Sequence, residues 1–411
     1  MKNVNVNTVD MVNIKINGIA CRAPAGSTIL DAAHSAGIAI PTLCYLKELN
    51  SIGACRMCVV EVKGVKNLVA SCVYPIAEGM EIWTNTERVQ SSRRTNLKLI
   101  LSIHNQTCLT CNRSGVCELQ RLCREYGVDN QMAFEGEKID YQPDESAVHM
   151  VRDNSKCIMC RRCEAVCSLA QGVSCIGSSG RGFATHIGPS FDAPLNTTQC
   201  IHCGQCIIAC PTGALYEKDN TSEVWNAINS PDKYVIVQTA PSVRAGLGEM
   251  FSLPLGTNVE GKMVAALRRM GFDGVFDTDF AADLTIMEET TELIERIKSG
   301  RNLPILTSCC PGWVKFLEHQ FPDLIYMPST AKSPQQMFGA IAKSYYAEKI
   351  GVRPEDLIVV SVMPCLAKKY EASREEFSHN GVPDVDIVIS TRELADMIRE
   401  AGIQFSQLED Q

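Results

Sequence analysis

The sequence predicts an α+β multidomain protein in which small cysteine-rich modules precede an α/β domain with a parallel sheet. Two observations support this fold class. The 411 residues include 21 cysteines, and 18 of these lie before residue 211 in closely spaced groups. From about residue 231, apolar runs of strand length alternate with helical patterns, which is typical of a parallel sheet covered by helices. A chain of this length has room for roughly two to four domains.

Charge and cysteine usage limit the possible partners and compartments. Residues 1–10 are polar and precede no apolar signal segment, and no run reaches membrane-spanning length. The net charge of −8 comes without a basic block, so neither nucleic acid nor a membrane is expected as a partner. Because C-x-x-C repeats in a chain without a leader favour metal over disulfides, we expect a cytoplasmic metal-binding protein.

The first module, residues 1–85, begins with an alternating apolar strand over residues 12–16, followed by the hairpin turn Asn17-Gly18. Ser27 is expected to cap a helix that runs through Ala36. A hairpin followed by a helix is the way in which a β-grasp ferredoxin begins.

Four cysteines of the first module are predicted to bind a 2Fe-2S cluster. Ten, two and thirteen residues separate them, so two thiolates come from one tight loop and one lies on either side. This spacing differs from the plant-type pattern and resembles the two-iron domain of hydrogenases and of complex I. The expected ligands are Cys44, Cys55, Cys58 and Cys72. Cys21 is expected to serve packing.

The second module, residues 86–150, is predicted to bind a 4Fe-4S cluster. A helical pattern over Glu87–Ile103 ends at His104, four residues before a C-x-x-C. The cysteines that follow are Cys108, Cys111 and Cys117. His104 is the preferred fourth ligand, and imidazole in place of thiolate should raise the reduction potential because it removes a negative charge. Cys123 remains an alternative fourth ligand.

The third module, residues 151–220, contains the most specific pattern of the sequence. Two runs of C-x2-C-x2-C-x3-C lie about 43 residues apart, as in bacterial two-cluster ferredoxins, in which the fourth cysteine of each run binds the other cluster. One 4Fe-4S cluster is therefore predicted on Cys157, Cys160, Cys163 and Cys210. The other is predicted on Cys200, Cys203, Cys206 and Cys167. Cys175 and His202 lie outside the pattern and are expected to be structural.

The fourth module, residues 221–411, is predicted to be an α/β domain. Its expected strands cover residues 235–239, 274–276, 302–306, 357–363 and 385–389. Its expected helices cover residues 262–270, 283–298, 312–321, 333–349 and 391–401, and a further helix opens at Ala240-Pro241-Ser242. The run 357–363 is almost continuously apolar, as expected for a parallel strand that is buried on both faces.

Two cysteine segments are expected to meet at one edge of this sheet. Cys309 and Cys310 follow the predicted strand 302–306, and Cys365 follows the strand 357–363. Because open α/β sheets bind ligands where their strands end, these segments indicate a metal site. Neighbouring side chains diverge from the backbone, so one of the adjacent thiolates is expected to bind metal and the other to face something else.

Several charged residues of this module have two interpretations. Glu289, Glu292 and Arg296 share one helical face, and periodicity alone favours a solvated face with an ion pair over a functional role. Lys368, three residues after Cys365, would ordinarily be a surface lysine.

The order of the modules resembles that of clostridial-type iron-only (FeFe) hydrogenases over essentially the entire chain. The motifs that carry this resemblance are Thr307-Ser-Cys-Cys-Pro-Gly-Trp313, Met363-Pro-Cys365 with Lys368, Thr239-Ala-Pro-Ser-Val-Arg244 and Ala282-Asp-Leu-Thr-Ile-Met-Glu-Glu289. The resemblance implies an anaerobic oxidoreductase that reversibly forms dihydrogen from protons and electrons. It also implies an H-cluster, in which a four-iron cubane shares one thiolate with a two-iron subsite that carries carbonyl, cyanide and dithiolate ligands.

The same resemblance implies roles for individual residues. Cys310 and Cys365 would bind the cubane, and Cys309 would deliver protons. The proton path would comprise Glu289, Ser329, Glu292 and Arg296, which favours the functional interpretation of the two glutamates. Lys368 would contact a cyanide. The subsite would be lined by Ala240, Pro241, Ser242, Gln335 and Met363.

One feature departs from the family pattern. Family members carry a third motif, with two further cubane cysteines, far beyond the second motif. The sequence ends at Gln411 before any such motif. The catalytic domain is therefore expected to be truncated, with an H-cluster only when the missing part is present, and the chain alone is not expected to release hydrogen.

Expected partners are a ferredoxin or a nicotinamide-linked redox subunit, together with hydrogenase maturation factors. The alternative function is that of an iron–sulfur electron-transfer subunit or fragment without hydrogenase activity of its own. The large iron–sulfur subunit of complex I resembles the first two modules but lacks the Thr307–Trp313 motif. Relatives in cytosolic iron–sulfur assembly keep remnants of the catalytic domain but lack the first two modules.

Overall fold

The computed structural model describes residues 10–411 apart from 130, 131, 133, 136–138 and 140. The chain forms two compact units that interleave in sequence. The first unit comprises the described residues up to Glu145 with Val151–Thr198 and Gln205–Tyr216, and the second unit comprises Ser146–Met150, Gln199–Gly204 and Glu217–Gln411. Two short segments of the cysteine-rich part therefore belong to the second unit. Among the described residues, no helix is both long and apolar enough to cross a membrane.

The first unit begins with the expected hairpin and helix. Strands β1 (Met11–Ile16) and β2 (Ile19–Pro24) pair antiparallel, and helix α1 covers Ile29–Ser35. The cap of α1 is Thr28 and not Ser27, because the Thr28 hydroxyl accepts from the Asp31 amide and the Asp31 carboxylate accepts in return from the Thr28 amide. The hydroxyl of Ser27 instead donates to the carbonyl of Pro24.

Three further strands complete a five-stranded sheet against α1. They are β3 (Val59–Val62), β4 (Val69–Ala70) and β5 (Glu81–Trp83), and the strand order is β2-β1-β5-β3-β4. Strand β5 runs parallel to β1 and antiparallel to β3. Buried aliphatic side chains of the strands and the helix form one core, which includes Ile16, Ile29, Leu30, Val60 and Ile82. This ferredoxin-like module agrees with the hairpin and helix that the sequence predicts.

Two helices form a second small core. Helix α2 (Glu87–Ile103) is capped by Thr86 and ends at His104, as predicted. Helix α3 (Glu118–Tyr126) ends at Gly127, which adopts a left-handed conformation with φ of 61°. The apolar side chains of the two helices pack together with those of the preceding module, chiefly Leu43, Met57, Leu97, Leu119 and Leu122.

Short elements surround the two long cysteine runs. They are β6 (Met150–Arg152), α4 (Arg162–Ala165), β7 (Gly177–Ser179), β8 (His186–Gly188), α5 (Gln205–Ala209) and β9 (Leu215–Glu217). Strands β7 and β8 form an antiparallel pair. Helix α4 continues into a π-helical turn over Val166–Ala170, which carries Cys167.

The second unit contains a four-stranded sheet in the order β11-β10-β12-β15. Its strands are β10 (Tyr234–Thr239), β11 (Gly274–Asp277), β12 (Leu357–Met363) and β15 (Ile387–Ser390), and β13 (Ser378–His379) and β14 (Val382–Pro383) form a separate pair. All neighbouring strands of the four-stranded sheet are parallel, which confirms the predicted sheet type. The central strands β10 and β12 are almost wholly buried.

Helices flank this sheet. They are α6 (Thr221–Ile228), α7 (Val243–Gly246), α8 (Glu260–Met270), α9 (Asp279–Ser299), α10 (Pro311–Gln320), α11 (Pro334–Ile341), α12 (Ala347–Ile350), α13 (Ala367–Ala372) and α14 (Thr391–Glu400). The helix predicted over 333–349 is divided by a π-helical turn over Ala342–Tyr346. Helix α9 begins four residues before the predicted start at 283.

The strand predicted over 302–306 does not form. Residues 301–304 are exposed, and Pro304 has no amide N–H to offer to a sheet. The only pairing that the structure gives this segment is one parallel bridge between Leu306 and Pro328. In that bridge Leu306 donates to Met327 and accepts from the Ser329 amide at 2.7 Å. The prediction that two sheet strands deliver the cysteine segments is therefore wrong for Cys309 and Cys310, which follow a loop.

Candidate iron–sulfur and catalytic sites

The four cysteines of the first module lie in two close pairs. Cys44, Cys58 and Cys72 are buried, and the sulfurs of Cys58 and Cys72 are 3.4 Å apart. Hydrogen bonds within the pairs lower the pKa of Cys55 to about 6 and that of Cys58 to about 7, and they raise the pKa of each partner thiol. Because thiolates are the metal-binding form of cysteine, this donor set fits a 2Fe-2S cluster.

The cysteines of the second module also lie together. Burial raises the pKa of Cys117, with further contributions from the charges of Cys111 and Cys108. Burial likewise raises the pKa of Cys123 to about 11, and the charges of Cys117 and Cys108 add to this shift. His104 is buried at the end of α2. Both candidate fourth ligands thus belong to the same region as the three cysteines.

The choice between these two ligands leads to a prediction. If His104 is the ligand, His104→Cys should keep the cluster and lower its reduction potential, because thiolate restores a negative charge. The measurement is a redox titration followed by electron paramagnetic resonance, with Cys123→Ala as the matched variant that should change neither iron content nor spectrum. An unchanged spectrum in His104→Ala together with loss of the cluster in Cys123→Ala would assign the site to Cys123.

Four cysteines of the third module line one cavity in the first unit. They are Cys157, Cys160, Cys163 and Cys210, and the remaining wall is largely apolar, with Ile158, Ile176, Ile187 and Leu215. Burial raises the pKa of Cys157 to about 11 and that of Cys160 to about 12. Metal coordination removes the thiol proton outright, so bound iron would compensate for this cost. The set that lines the cavity is the one that the spacing pattern predicts for one 4Fe-4S cluster.

The members of the other predicted four-iron set are divided between the units. Cys200 and Cys203 belong to the second unit, and Cys167 and Cys206 belong to the first. Their assignment to one cluster therefore stays a prediction from the spacing. Cys175, which the pattern leaves out, has its sulfur 3.6 Å from that of Cys167.

His202 has a structural environment. Its ring stacks on Tyr370 at a centroid distance of 4.1 Å, and its Nδ1 lies 3.0 Å from Nδ1 of His149. Burial, together with the charge of His149, lowers the pKa of His202 to about 3. The buried and stacked ring of His202, with its lowered pKa, agrees with the expectation that His202 is structural.

The two cysteine segments of the second unit approach each other. Cys310 immediately precedes α10, and Cys365 lies between β12 and α13. Burial raises the pKa of Cys365, and the charge of Cys310 adds to that shift. Cys309 and Cys310 are both exposed.

Lys368 is mostly buried and has defined partners, in contrast to an ordinary surface lysine. Its side chain is 13% exposed, and its Nζ donates to the carbonyl of Cys309 at 2.8 Å and to the carboxylate of Glu371 at 3.0 Å. The same carboxylate accepts from Ser333 and from Gln335. Glu371 thus orients two residues of the predicted site, Lys368 and Gln335. Glu371 is not among the residues predicted from the sequence, in which its one signal is its position one helical turn after Lys368.

The residues predicted to line the subsite differ in exposure. Met363 and Ala240 are buried at the ends of the central strands β12 and β10. Gln335 is buried at the start of α11 and also donates to the carbonyl of Lys368. Pro241 and Ser242 are exposed.

Three of the four predicted proton-path residues form one hydrogen-bonded group. The Glu292 carboxylate accepts from the Ser329 hydroxyl at 2.7 Å and from Arg296 at 2.5 Å, and it also accepts from the amide of Thr330. Partial burial opposes ionisation, but the donors Ser329, Thr330 and Arg296 together lower the pKa of Glu292. Arg296 is held by three backbone carbonyls near the Leu306–Pro328 bridge. The side chain of Glu289, one turn earlier on α9, has no hydrogen bond within the described part of the chain.

Four family models match the chain. The model described as "Iron only hydrogenase large subunit, C-terminal domain" matches residues 233–411. The "2Fe-2S iron-sulfur cluster binding domain" matches residues 9–87, and the "NADH-ubiquinone oxidoreductase-G iron-sulfur binding region" matches residues 93–132. The "4Fe-4S binding domain" matches residues 193–216. The chain thus contains 2Fe-2S and 4Fe-4S binding domains before a hydrogenase domain.

Whole-chain comparisons lead to the same family. The chain is 54% identical to the NADP-reducing hydrogenase subunit HndD of Solidesulfovibrio fructosivorans, in a match that covers 98% of this chain and 71% of that protein. It is 42% identical to iron hydrogenase 1 of Clostridium pasteurianum, over 97% of this chain and 70% of that protein. An NADH-quinone oxidoreductase subunit of Rhizobium meliloti is 34% identical over 50% of this chain and 24% of that protein. The chain belongs to the iron-only hydrogenase family.

Proposed function

We propose that this protein catalyses the reversible conversion of two protons and two electrons into dihydrogen, with electrons relayed through four accessory iron–sulfur clusters. The observation that carries the proposal is the arrangement around Cys309. The charge of Cys310 raises the pKa of Cys365, and Lys368 donates a hydrogen bond to the carbonyl of Cys309. This electrostatic influence of Cys310 on Cys365 supports the division of the adjacent pair into a metal ligand, Cys310, and a proton carrier, Cys309.

The accessory clusters are proposed to occupy three modules. A 2Fe-2S cluster lies in residues 1–85, a 4Fe-4S cluster with one histidine ligand in residues 86–150, and two 4Fe-4S clusters in residues 151–220. Residues 221–411 contribute to the catalytic domain. The paired thiols of the first module and the four-cysteine cavity of the third support this assignment.

In the catalytic domain, Cys310 and Cys365 would hold the four-iron cubane of the H-cluster. The H-cluster, when bound, supplies the metal centre at which hydrogen is formed or split. Lys368 provides a positive charge beside Cys309, and Glu371 holds that charge in place. Glu292 accepts protons at its carboxylate from the solvent side and, with Glu289, passes them toward the Cys309 thiol.

A nicotinamide-linked redox subunit is the proposed electron partner, because the relative with 54% identity is named as an NADP-reducing hydrogenase subunit. Hydrogenase maturation factors are proposed to install the two-iron subsite. The competing function is that of an electron-transfer subunit without hydrogenase activity. The match of half of this chain to one subunit of an NADH-quinone oxidoreductase favours that alternative.

The test is a hydrogen assay on the full-length holoenzyme, with the third motif present, after anaerobic maturation. With reduced methyl viologen as the electron donor, gas chromatography should detect hydrogen release. Cys21→Ala should leave the rate unchanged, because Cys21 lies outside every predicted cluster. If methyl viologen reduces the accessory clusters but no hydrogen forms, the protein is an electron-transfer subunit and the proposal is wrong.

A further inference from the structure

One buried asparagine connects two predicted cluster-binding segments. Nδ2 of Asn50 donates to the carbonyl of Cys44 at 2.7 Å and to the carbonyl of Cys160 at 2.9 Å. Cys44 is a predicted ligand of the 2Fe-2S cluster, and Cys160 is a predicted ligand of the 4Fe-4S cluster in the four-cysteine cavity. Asn50 is only 4% exposed, and it lies 110 residues from Cys160 in the sequence.

The backbone around Asn50 fixes the direction of its side chain. The Asn50 amide donates to the carbonyl of Leu46 at 2.8 Å, and the Asn50 carbonyl accepts from the Leu46 amide at 2.9 Å, which closes a tight loop between Leu46 and Asn50. The next residue, Ser51, donates its hydroxyl to the carbonyl of Cys72 at 2.5 Å. This loop therefore contacts the two-iron site at two cysteines and the four-iron site at one.

The chemistry of the amide makes this link specific. An asparagine amide carries two N–H donors on one nitrogen, and here each donor serves one cysteine carbonyl. The two cysteines are buried and their carbonyls share one donor nitrogen, so one side chain bridges the two cysteine segments. Removing the donors would leave both carbonyls without this partner and would favour a rearrangement of the two segments.

We propose that Asn50 is a positioning residue that sets the separation of the two-iron and four-iron clusters for electron exchange. In this exchange one electron passes from the reduced two-iron cluster to the oxidised four-iron cluster. The two-iron cluster thereby becomes oxidised and the four-iron cluster becomes reduced. No proton moves, and the reverse step balances in the same way. The proposal rests on the cluster assignment in the proposed function, but it does not depend on hydrogen turnover.

The test uses magnetic interaction between the clusters in the dithionite-reduced protein. A fast-relaxing four-iron cluster shortens the spin relaxation time of a nearby two-iron cluster, and this effect falls steeply with the distance between the clusters. Asn50→Asp keeps the size of the side chain but replaces the donor nitrogen with an acceptor oxygen, and Asn50→Ala removes the group. Both variants should keep the iron content of the wild type and lose part of this relaxation enhancement.

The matched control is Ser51→Ala. It removes a hydrogen bond from the same loop to the two-iron site alone, so it should retain the relaxation enhancement of the wild type. Wild-type relaxation in both Asn50 variants would overturn the proposal. Loss of either cluster from both variants would also overturn it, because Asn50 would then serve cluster incorporation and not the separation. A failure of the hydrogen assay would leave this measurement unaffected, so the two proposals fail independently.

Discussion

In the holoenzyme, Cys309→Ala should lower hydrogen evolution by about 10²- to 10⁴-fold while the carbonyl and cyanide infrared bands of the H-cluster persist. The reason is that Cys309 is proposed to carry a proton and not to bind iron. Cys310→Ala should abolish the infrared bands themselves, because it removes a proposed ligand of the cubane. Infrared spectroscopy and the methyl viologen assay on the same samples measure both effects.

Cys21→Ala is the control for loss of a cysteine, since Cys21 lies on β2 and belongs to none of the predicted ligand sets. It should leave both the bands and the rate unchanged. The division of labour between the adjacent cysteines would be refuted by loss of the bands in both Cys309→Ala and Cys310→Ala. It would equally be refuted by full hydrogen evolution in Cys309→Ala.

A second large fall in the rate of hydrogen evolution is expected for Glu292→Gln. Glutamine keeps the size of the side chain but cannot take up and release a proton in the same way, so hydrogen evolution should fall by about 10²-fold or more with intact infrared bands. Glu295→Gln is the matched control, because Glu295 is an exposed glutamate on the same helix α9. A rate in Glu292→Gln equal to that in Glu295→Gln would exclude Glu292 from the proton path.

The lowered pKa of Glu292 also predicts how hydrogen evolution changes with pH. Although partial burial opposes ionisation, donors on Glu292, including the Ser329 hydroxyl, lower its pKa, so its carboxylate takes up a proton only at a lower pH than an ordinary glutamate. When proton delivery limits the rate, hydrogen evolution should therefore rise toward acid pH. Ser329→Ala removes a donor that favours the ionised form, so the pKa of Glu292 should rise and the pH profile should move to higher pH. A shift to lower pH would contradict this account.

Much of the architecture could be predicted because local patterns determine it. Cysteine spacing identified the set Cys157, Cys160, Cys163 and Cys210, whose members come from two runs and line one cavity. Strand β12 has the predicted bounds Leu357–Met363, since a continuous apolar run buried on both faces has one stable location in a parallel sheet. Helix α2 ends at His104 as expected.

Other features depend on contacts that a sequence pattern does not contain. The segment 302–306 has an apolar pattern, but Pro304 and the bridge to Pro328 make it a loop. Glu371 and Asn50 have ordinary neighbours in sequence, and their roles arise from partners that lie far away along the chain. The cap of α1 lies one residue after the predicted cap Ser27, because only Thr28 has an acidic residue, Asp31, at the third helical position after it.

The central claim is that protons reach the catalytic site by a route separate from that of the electrons. The most direct test is isotope exchange, in which the holoenzyme is placed under D2 in ordinary water and HD is followed by mass spectrometry. The account predicts that HD forms without any added electron carrier, that Glu295→Gln exchanges at the wild-type rate, and that Glu292→Gln loses most of the exchange. HD formation that requires an electron carrier, or that proceeds in Glu292→Gln at the wild-type rate, would contradict it.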